Sequence, residues 1–260
     1  MAWLLQTRAD ICTYVGYLQR NAHAPTVYHV KKVNRLLSWC KRCKTGIQYN
    51  RLTPPLRLVT VADSAYKGSD VDCLSVRGYL IALAGTEAGA HPGGAVQLWD
   101  NLSKKHTVIT RSSFSSELRN ALAADASTQL VRSFLHEIMY GTCSAAKLAE
   151  MQDTGCYTVP YALCIDARSI YDAVAREGEV VTGSDPSLTM HVKSLKEKIL
   201  SGQITQFIWG DNRDMVADGL TKGRAPRDAL LLLSKGRWPV QHAILVFSRK
   251  TDAKSAETTE

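Results

Sequence analysis

Leu56-Arg-Leu-Val-Thr-Val-Ala-Asp63 decides the fold. Residues 56–62 are an apolar, partly β-branched run that reads as a buried strand, and Asp63 interrupts it with a carboxylate. A second run, Tyr161-Ala-Leu-Cys-Ile-Asp166, ends the same way. Glu117 follows Ser115-Ser116 near the start of a long helical stretch, and Asp218 lies in Met215-Val-Ala-Asp218-Gly-Leu-Thr-Lys222. Clustered carboxylates repel one another, so a set that meets in space serves to hold divalent cations. Two cations about 3.5–4 Å apart can drive in-line hydrolysis of a phosphodiester.

Outward from Asp63, residues 76–84 and 95–103 are the next expected strands, with short or Gly-rich connections. The loop between them lacks the Gly-Lys-Ser/Thr ending of a phosphate loop. A helix is expected over 114–140, with Leu118, Leu122, Leu130, Phe134 and Ile138 as its core face and Gly141 at its end. A strand at 161–166, helices at 168–177 and 186–200, a strand at 203–209 and a helix from about 213 follow. Ala225-Pro226 opens one more short helix carrying Leu230 to Leu233. Three early strands and then alternating helix and strand predict an α/β sheet with antiparallel and parallel parts.

Upstream, the first 45 residues have helical periodicity. Ile11, Val15 and Leu18 form one stripe; Val27, Val30, Val33, Leu36, Leu37 and Cys40 form a second after the break at Pro25. Thr53-Pro-Pro55 reads as a linker. The expected units are therefore a basic helical segment over 1–52, an α/β domain over 56–237 and a disordered polar tail over 249–260.

The net charge of +8 is unevenly placed. Residues 1–62 carry ten basic residues and the single acid Asp10, so the other 198 residues net −1. A basic block beside a metal-suited acidic cluster fits an enzyme of nucleic acid, the block gripping phosphates. Lys31, Lys32, Arg35, Lys41, Arg42 and Lys44 lie mainly off the apolar stripe and are candidate phosphate contacts. Lys104 and Lys105 are two more, and Ser115, Ser116 and Arg168 stand beside proposed ligands.

Several classes are excluded. No run of about 18 apolar residues is present, so no membrane span is expected. The first residues lack the pattern of a secretory signal, and seven irregularly spaced cysteines fit a reducing, intracellular setting, cytoplasmic or nuclear. Cys40-Lys-Arg-Cys43 has metal-ligand spacing but no second pair, so it reads as two buried thiols. No Ser-His-Asp or G-x-S-x-G arrangement stands out.

The chain resembles the C-terminal part of copia-type retrotransposon Pol polyproteins. Gln6-Thr-Arg-Ala-Asp-Ile11, then Val15-Gly16 and Leu18, resembles the "TRPDI…VG.LSR" segment after the reverse-transcriptase palm. His29-Val-Lys-Lys-Val-Asn-Arg-Leu-Leu37 is similar to the helix after it. Ala62-Asp-Ser-Ala65 stands where "SDAD" does, Arg77-Gly-Tyr79 for "SGY", and Ser103-Lys-Lys-His106 for "SSKKQ". Ser112-Ser-Phe-Ser-Ser-Glu-Leu118 stands for "SSTEAEY", and Leu163-Cys-Ile-Asp-Ala-Arg168 for "ILCDNQS". His191-Val and Ile199-Leu-Ser-Gly-Gln-Ile204 are similar to "KHIDI…EGEI". Ala217-Asp-Gly-Leu-Thr-Lys222 matches "ADILTK" closely and is the most specific piece of the ordered series.

The resemblance implies a ribonuclease H-like fold: a five-stranded mixed sheet, three antiparallel strands then two parallel, flanked by helices. It implies that Asp63, Glu117, Asp166 and Asp218 bind two Mg2+ ions, for which Mn2+ can substitute. The implied reaction is endonucleolytic cutting of the RNA strand of RNA–DNA hybrids. Asp211 and Asp214 are rivals for the fourth position, and Asp214 also suits a helix cap. No Asp-Asp dipeptide is present, and the fingers and palm are missing, so no polymerase activity is expected. Met1 falls within a family segment, which implies a piece of something longer whose reverse-transcriptase portion is a candidate partner. An inactive or domesticated nucleic-acid-binding fragment is the alternative. No histidine lies between His191 and His242, so a mobile-loop histidine near the fourth carboxylate is not expected.

Overall fold

The computed structural model describes residues 2–66, 74–85, 93–157, 159–178 and 186–249. The polar tail beyond Arg249 and most of the Gly-rich loop after Ala84 lie outside the described residues. Seven strands form one sheet: β1 (Arg57–Ala65), β2 (Val76–Ala84), β3 (Gly94–Lys105), β4 (Tyr161–Ile165), β5 (Gln206–Gly210), β6 (Arg237–Trp238) and β7 (Ile244–Phe247). Their order is β6-β3-β2-β1-β4-β5-β7. β1 pairs antiparallel with β2 and parallel with β4; β2–β3 is antiparallel and β4–β5 parallel. These five strands are the ribonuclease H-like sheet that the resemblance implies. The short edge strands β6 and β7, antiparallel to β3 and β5, extend it beyond the expected five. β6 has two residues, too few for an alternating pattern to show.

β1 is central and buried on both faces, which is why it reads as a continuous apolar run. Leu58 and Ala62 feed one core, and Val59 and Val61 the other. Eight helices surround the sheet among the described residues: α1 (Cys12–Arg20), α2 (Val27–Arg42), α3 (Ser113–Tyr140), α4 (Ala145–Thr154), α5 (Arg168–Ala175), α6 (Pro186–Leu200), α7 (Asp218–Thr221) and α8 (Asp228–Ser234). α3, α5 and α6 cover the first face through Leu118, Ala121, Ile170, Val174, Val192 and Leu195. α7 and α8 cover the second face, and Ala9 and Cys12 of the N-terminal segment join that core. α1 and α2 meet in a smaller core of Ile11, Val15 and Leu36.

Ser112 caps α3, its hydroxyl accepting from Ser115 N at 3.1 Å, and Gly141 ends the helix at φ +90°. The core face of α3 differs from the expected one. Leu118 is buried, but Leu130, Phe134 and Ile138 are 73%, 59% and 60% exposed. Steps of four residues drift about 40° each around a helix, so a stripe that starts inward at Leu118 turns outward by Leu130. The face that stays inward runs through Leu118, Asp125, Arg132 and Leu135, and its polar members are satisfied. Arg132 donates to Val159 O (2.8 Å) and Gln203 O (2.7 Å), and Lys198 pairs with Asp125.

Two local expectations also change. The helix expected from about 213 is a 3-10 turn over Asn212–Asp214 and then the single turn α7. A Cβ at Gly219 would meet Leu230 Cδ1 at 2.5 Å, so the chain here is pressed against α8. α4 was not expected: Met151 is its one buried residue, which leaves little periodicity to read. Cys40 and Cys43 are half-buried rather than buried. Among the described residues, no helix is long and apolar enough to cross a membrane.

Candidate active site

The sheet register brings the carboxylates together. Asp63 sits in β1 opposite Gly78 of β2, and Ala62 pairs with Ile165, so Asp166 just beyond β4 lies beside it. The second turn of α3 delivers Glu117 to the same place. Carboxylate oxygens of Asp63, Glu117 and Asp166 all lie within 4.8 Å of one another. The cluster is at the carboxyl ends of the parallel strands β1 and β4, where open α/β sheets place their ligand sites. Backbone braces hold it. Asn120 Nδ2 donates to Asp63 O at 2.7 Å and to Gly78 O at 3.0 Å, and Trp209 Nε1 donates to Asp166 O at 2.8 Å.

Asp218 opens α7 and is joined to the cluster by a cation. Lys222, one helical turn on, places its Nζ 2.5 Å from Asp218 Oδ1 and 3.6 Å from Asp63 Oδ1. Thr221 Oγ1 donates to Asp63 Oδ2. The rivals are engaged elsewhere: Asp211 pairs with Arg213, and Asp214 accepts from the backbone N–H groups of Gln241 and His242.

The electrostatics follow from burial and crowding. Burial, then Asp63 and Asp166, push Glu117 up to about 10. Burial, then Asp63, raise Asp166 to about 7. Asp63 is also raised, by burial first, with Lys222 and Thr221 acting against the rise. Burial opposes the charge on Lys222, yet Asp63 and Asp218 outweigh it and raise its pKa. Three carboxylates converging at one point offer only acceptor oxygens once ionised, a donor set that suits hard divalent cations such as Mg2+ or Mn2+.

The candidate nucleic-acid residues fall into four groups. Lys31, Arg35, Lys41, Arg42 and Lys44 are exposed at or just beyond α2, and Lys32 is half-buried, 4.7 Å from the ring centroids of both Tyr17 and Tyr28. Lys104 is exposed and Lys105 half-buried at the end of β3, on the site's edge of the sheet. Arg168 is exposed and pairs with Asp172 at 2.8 Å, its guanidinium 5.1 Å from the Trp209 ring. Ser115 and Ser116 are buried beneath the site; Ser116 shares a hydrogen bond with Ser64. His106, also buried there, faces Ser64 at 3.3 Å. Burial, then Arg77 and Arg119, lower its pKa to about 4, so it is neutral.

Lys222, Thr221, Asn120 and Trp209 are site residues not expected from the sequence. Lys222 had a signal, its i, i+4 spacing from Asp218. Asn120 and Trp209 act on backbone carbonyls, which no local pattern marks.

No protein-family model matches the chain. The retrovirus-related Pol polyprotein from transposon RE1 of Arabidopsis thaliana is 28% identical over 138 residues, which is 53% of this chain and 9% of that protein. The chain thus matches about a tenth of the length of this curated relative. Among solved structures, the N-terminal RNase H domain of a Mycobacterium tuberculosis protein is 12% identical, with a TM-score of 0.38 over 65% of this chain and 92% of that one. LC11-RNase H1 in complex with an RNA/DNA hybrid is 12% identical, with a TM-score of 0.41 over 67% of this chain and 99% of that one. The chain is therefore similar in sequence to a segment of a retrotransposon Pol polyprotein, and its five central strands have the order and directions that the resemblance implies.

Proposed function

We propose that the chain is a metal-dependent endoribonuclease of the ribonuclease H type, cutting the RNA strand of RNA–DNA hybrids. The meeting of Asp63, Glu117 and Asp166 within 4.8 Å carries this reading. These three would hold Mg2+, and Asp218 would complete the donor set for a second ion once Lys222 releases it. Bound magnesium supplies charge stabilisation at the phosphoryl group and a more acidic water.

The chain's own residues prepare that chemistry. Asn120 and Trp209 fix the backbones of Asp63 and Asp166, so their oxygens converge without local rearrangement. Thr221 orients one oxygen of Asp63. Lys222 offsets the repulsion between Asp63 and Asp218 until a cation takes that part. In the cut, a water oxygen adds to phosphorus and the P–O3′ bond breaks, leaving a 5′-phosphate and a 3′-hydroxyl. The exposed bases of α2, with Lys104 and Arg168, are the proposed contacts to the hybrid backbone. The reverse-transcriptase portion of a longer polyprotein is the proposed protein neighbour.

The test is cleavage of an end-labelled RNA–DNA hybrid with Mg2+. Cutting confined to the RNA strand, and lost in EDTA, is expected; an intact hybrid at every Mg2+ and Mn2+ concentration would leave only a basic nucleic-acid-binding chain.

A further inference from the structure

We infer that helix α1 positions the candidate metal centre through Thr13 and Tyr14, an inference that rests on the nuclease reading. α7 is one turn long, so it leaves its last carbonyls without helical partners. Side chains from α1 and β3 take two of them and the carbonyl of Gly223 just beyond the turn. Thr13 Oγ1 donates to Gly219 O at 2.8 Å, Ser103 Oγ to Leu220 O at 2.5 Å, and the Tyr14 hydroxyl to Gly223 O at 2.9 Å. Arg227 closes the clamp: Nη1 donates to Gly219 O and Nη2 to Lys222 O at 3.2 Å, while its guanidinium lies 4.7 Å from the Tyr14 ring centroid.

The clamped turn is the one that carries chemistry. Asp218 opens it, and Thr221 and Lys222 reach back to Asp63. The turn has no slack on its sheet side, since a Cβ at Gly78 would meet Leu220 Cβ at 2.7 Å and Thr221 Cγ2 at 3.0 Å. α1 is itself anchored at its start, because Cys12 and, just before the helix, Ala9 are buried in the core beneath the sheet. The N-terminal helix, some two hundred residues away in sequence, is thus a wall of the site and not an appended handle. Thr13 and Tyr14 are positioning residues that act through the Asp218–Lys222 turn.

The experiment uses the full chain with Thr13→Val, Tyr14→Phe, the double variant, and Thr13→Ser as the conservative control. Mn2+ binding is titrated by electron paramagnetic resonance without substrate, and amide exchange is followed across residues 219–223. In the double variant the Mn2+ dissociation constant should rise about tenfold, as for lost outer partners of metal ligands. Exchange should quicken at 219–223 but not in β1 or β4, and Thr13→Ser should bind Mn2+ as the parent does. Unchanged Mn2+ affinity in the double variant, with Asp63→Asn abolishing binding, overturns the positioning role and leaves the nuclease reading standing. A parent chain that binds no Mn2+ overturns both.

Discussion

At the scale of single residues, Asp63 sets the demands on everything around it. It is 1% exposed and faces two other carboxylates, a placement that stability alone would disfavour. Asp63→Asn and Asp166→Asn each remove a ligand charge while keeping shape. Both should lower Mg2+-dependent cutting at least about a hundredfold, the scale of one lost transition-state interaction; retained cutting in a hybrid-cleavage assay would refute the assignment. Lys222→Met leaves Asp63 and Asp218 uncompensated. Its metal-free melting temperature should fall, and the gain on adding Mg2+ should exceed that of the parent, as differential scanning fluorimetry would show. The pH dependence has a definite sign. Glu117 at about 10 and Asp166 at about 7 are held above the ordinary carboxylate range, so the metal-free folded chain keeps protons that the unfolded chain has released. Their stabilising contribution is complete below about pH 4 and is lost as pH rises through 7 toward 10. Metal-free melting temperatures should therefore drop between about pH 5 and 9, and the Mg2+ gain should be larger at the upper end. A gain that is largest at the acidic end would contradict this.

At the scale of elements, α3 shows what a pattern can and cannot reveal. Its existence and its end at Gly141 were legible, because a glycine stop is a local signal, whereas its cap at Ser112 was not singled out. Its orientation was not. Asp125, Thr128 and Arg132 lie on the buried face, where Lys198, Thr60 and the carbonyls of Val159 and Gln203 satisfy them, while Leu130, Phe134 and Ile138 point outward. Leu118→Ala should therefore cost about 2–5 kcal/mol in denaturant unfolding. Leu130→Ser and Phe134→Ser should each stay within about 0.5 kcal/mol; the reverse ranking would restore the face expected from apolar spacing. The strands carrying Asp63 and Asp166 were legible for a different reason. Both are buried on two faces, so a carboxylate at their ends stands out from an apolar run. The one-turn α7 was not, since its geometry depends on close packing at Gly78 and Gly219 and on Thr13 and Tyr14 far upstream.

At the scale of the whole molecule, charge and fold divide the labour. The acidic cluster lies at one end of the sheet, while the positive excess sits in the first 62 residues. Lys31, Arg35 and Arg42 fall within about 40° of one another around α2 and are exposed, so they form one basic stripe. Replacing all three with alanine should weaken hybrid binding and flatten the slope of log affinity against log salt by about 2–3. Metal binding at the cluster should be unaffected. A slope unchanged in fluorescence-anisotropy titrations would move the phosphate contacts elsewhere. If acidic side chains from β1, α3 and the end of β4 form one cation pocket, anomalous scattering from Mn2+-soaked crystals places the ion among them. A peak is expected among the carboxylates of Asp63, Glu117 and Asp166, at about 2.0–2.2 Å from their oxygens. Anomalous density elsewhere on the chain, or none at saturating Mn2+, would contradict it.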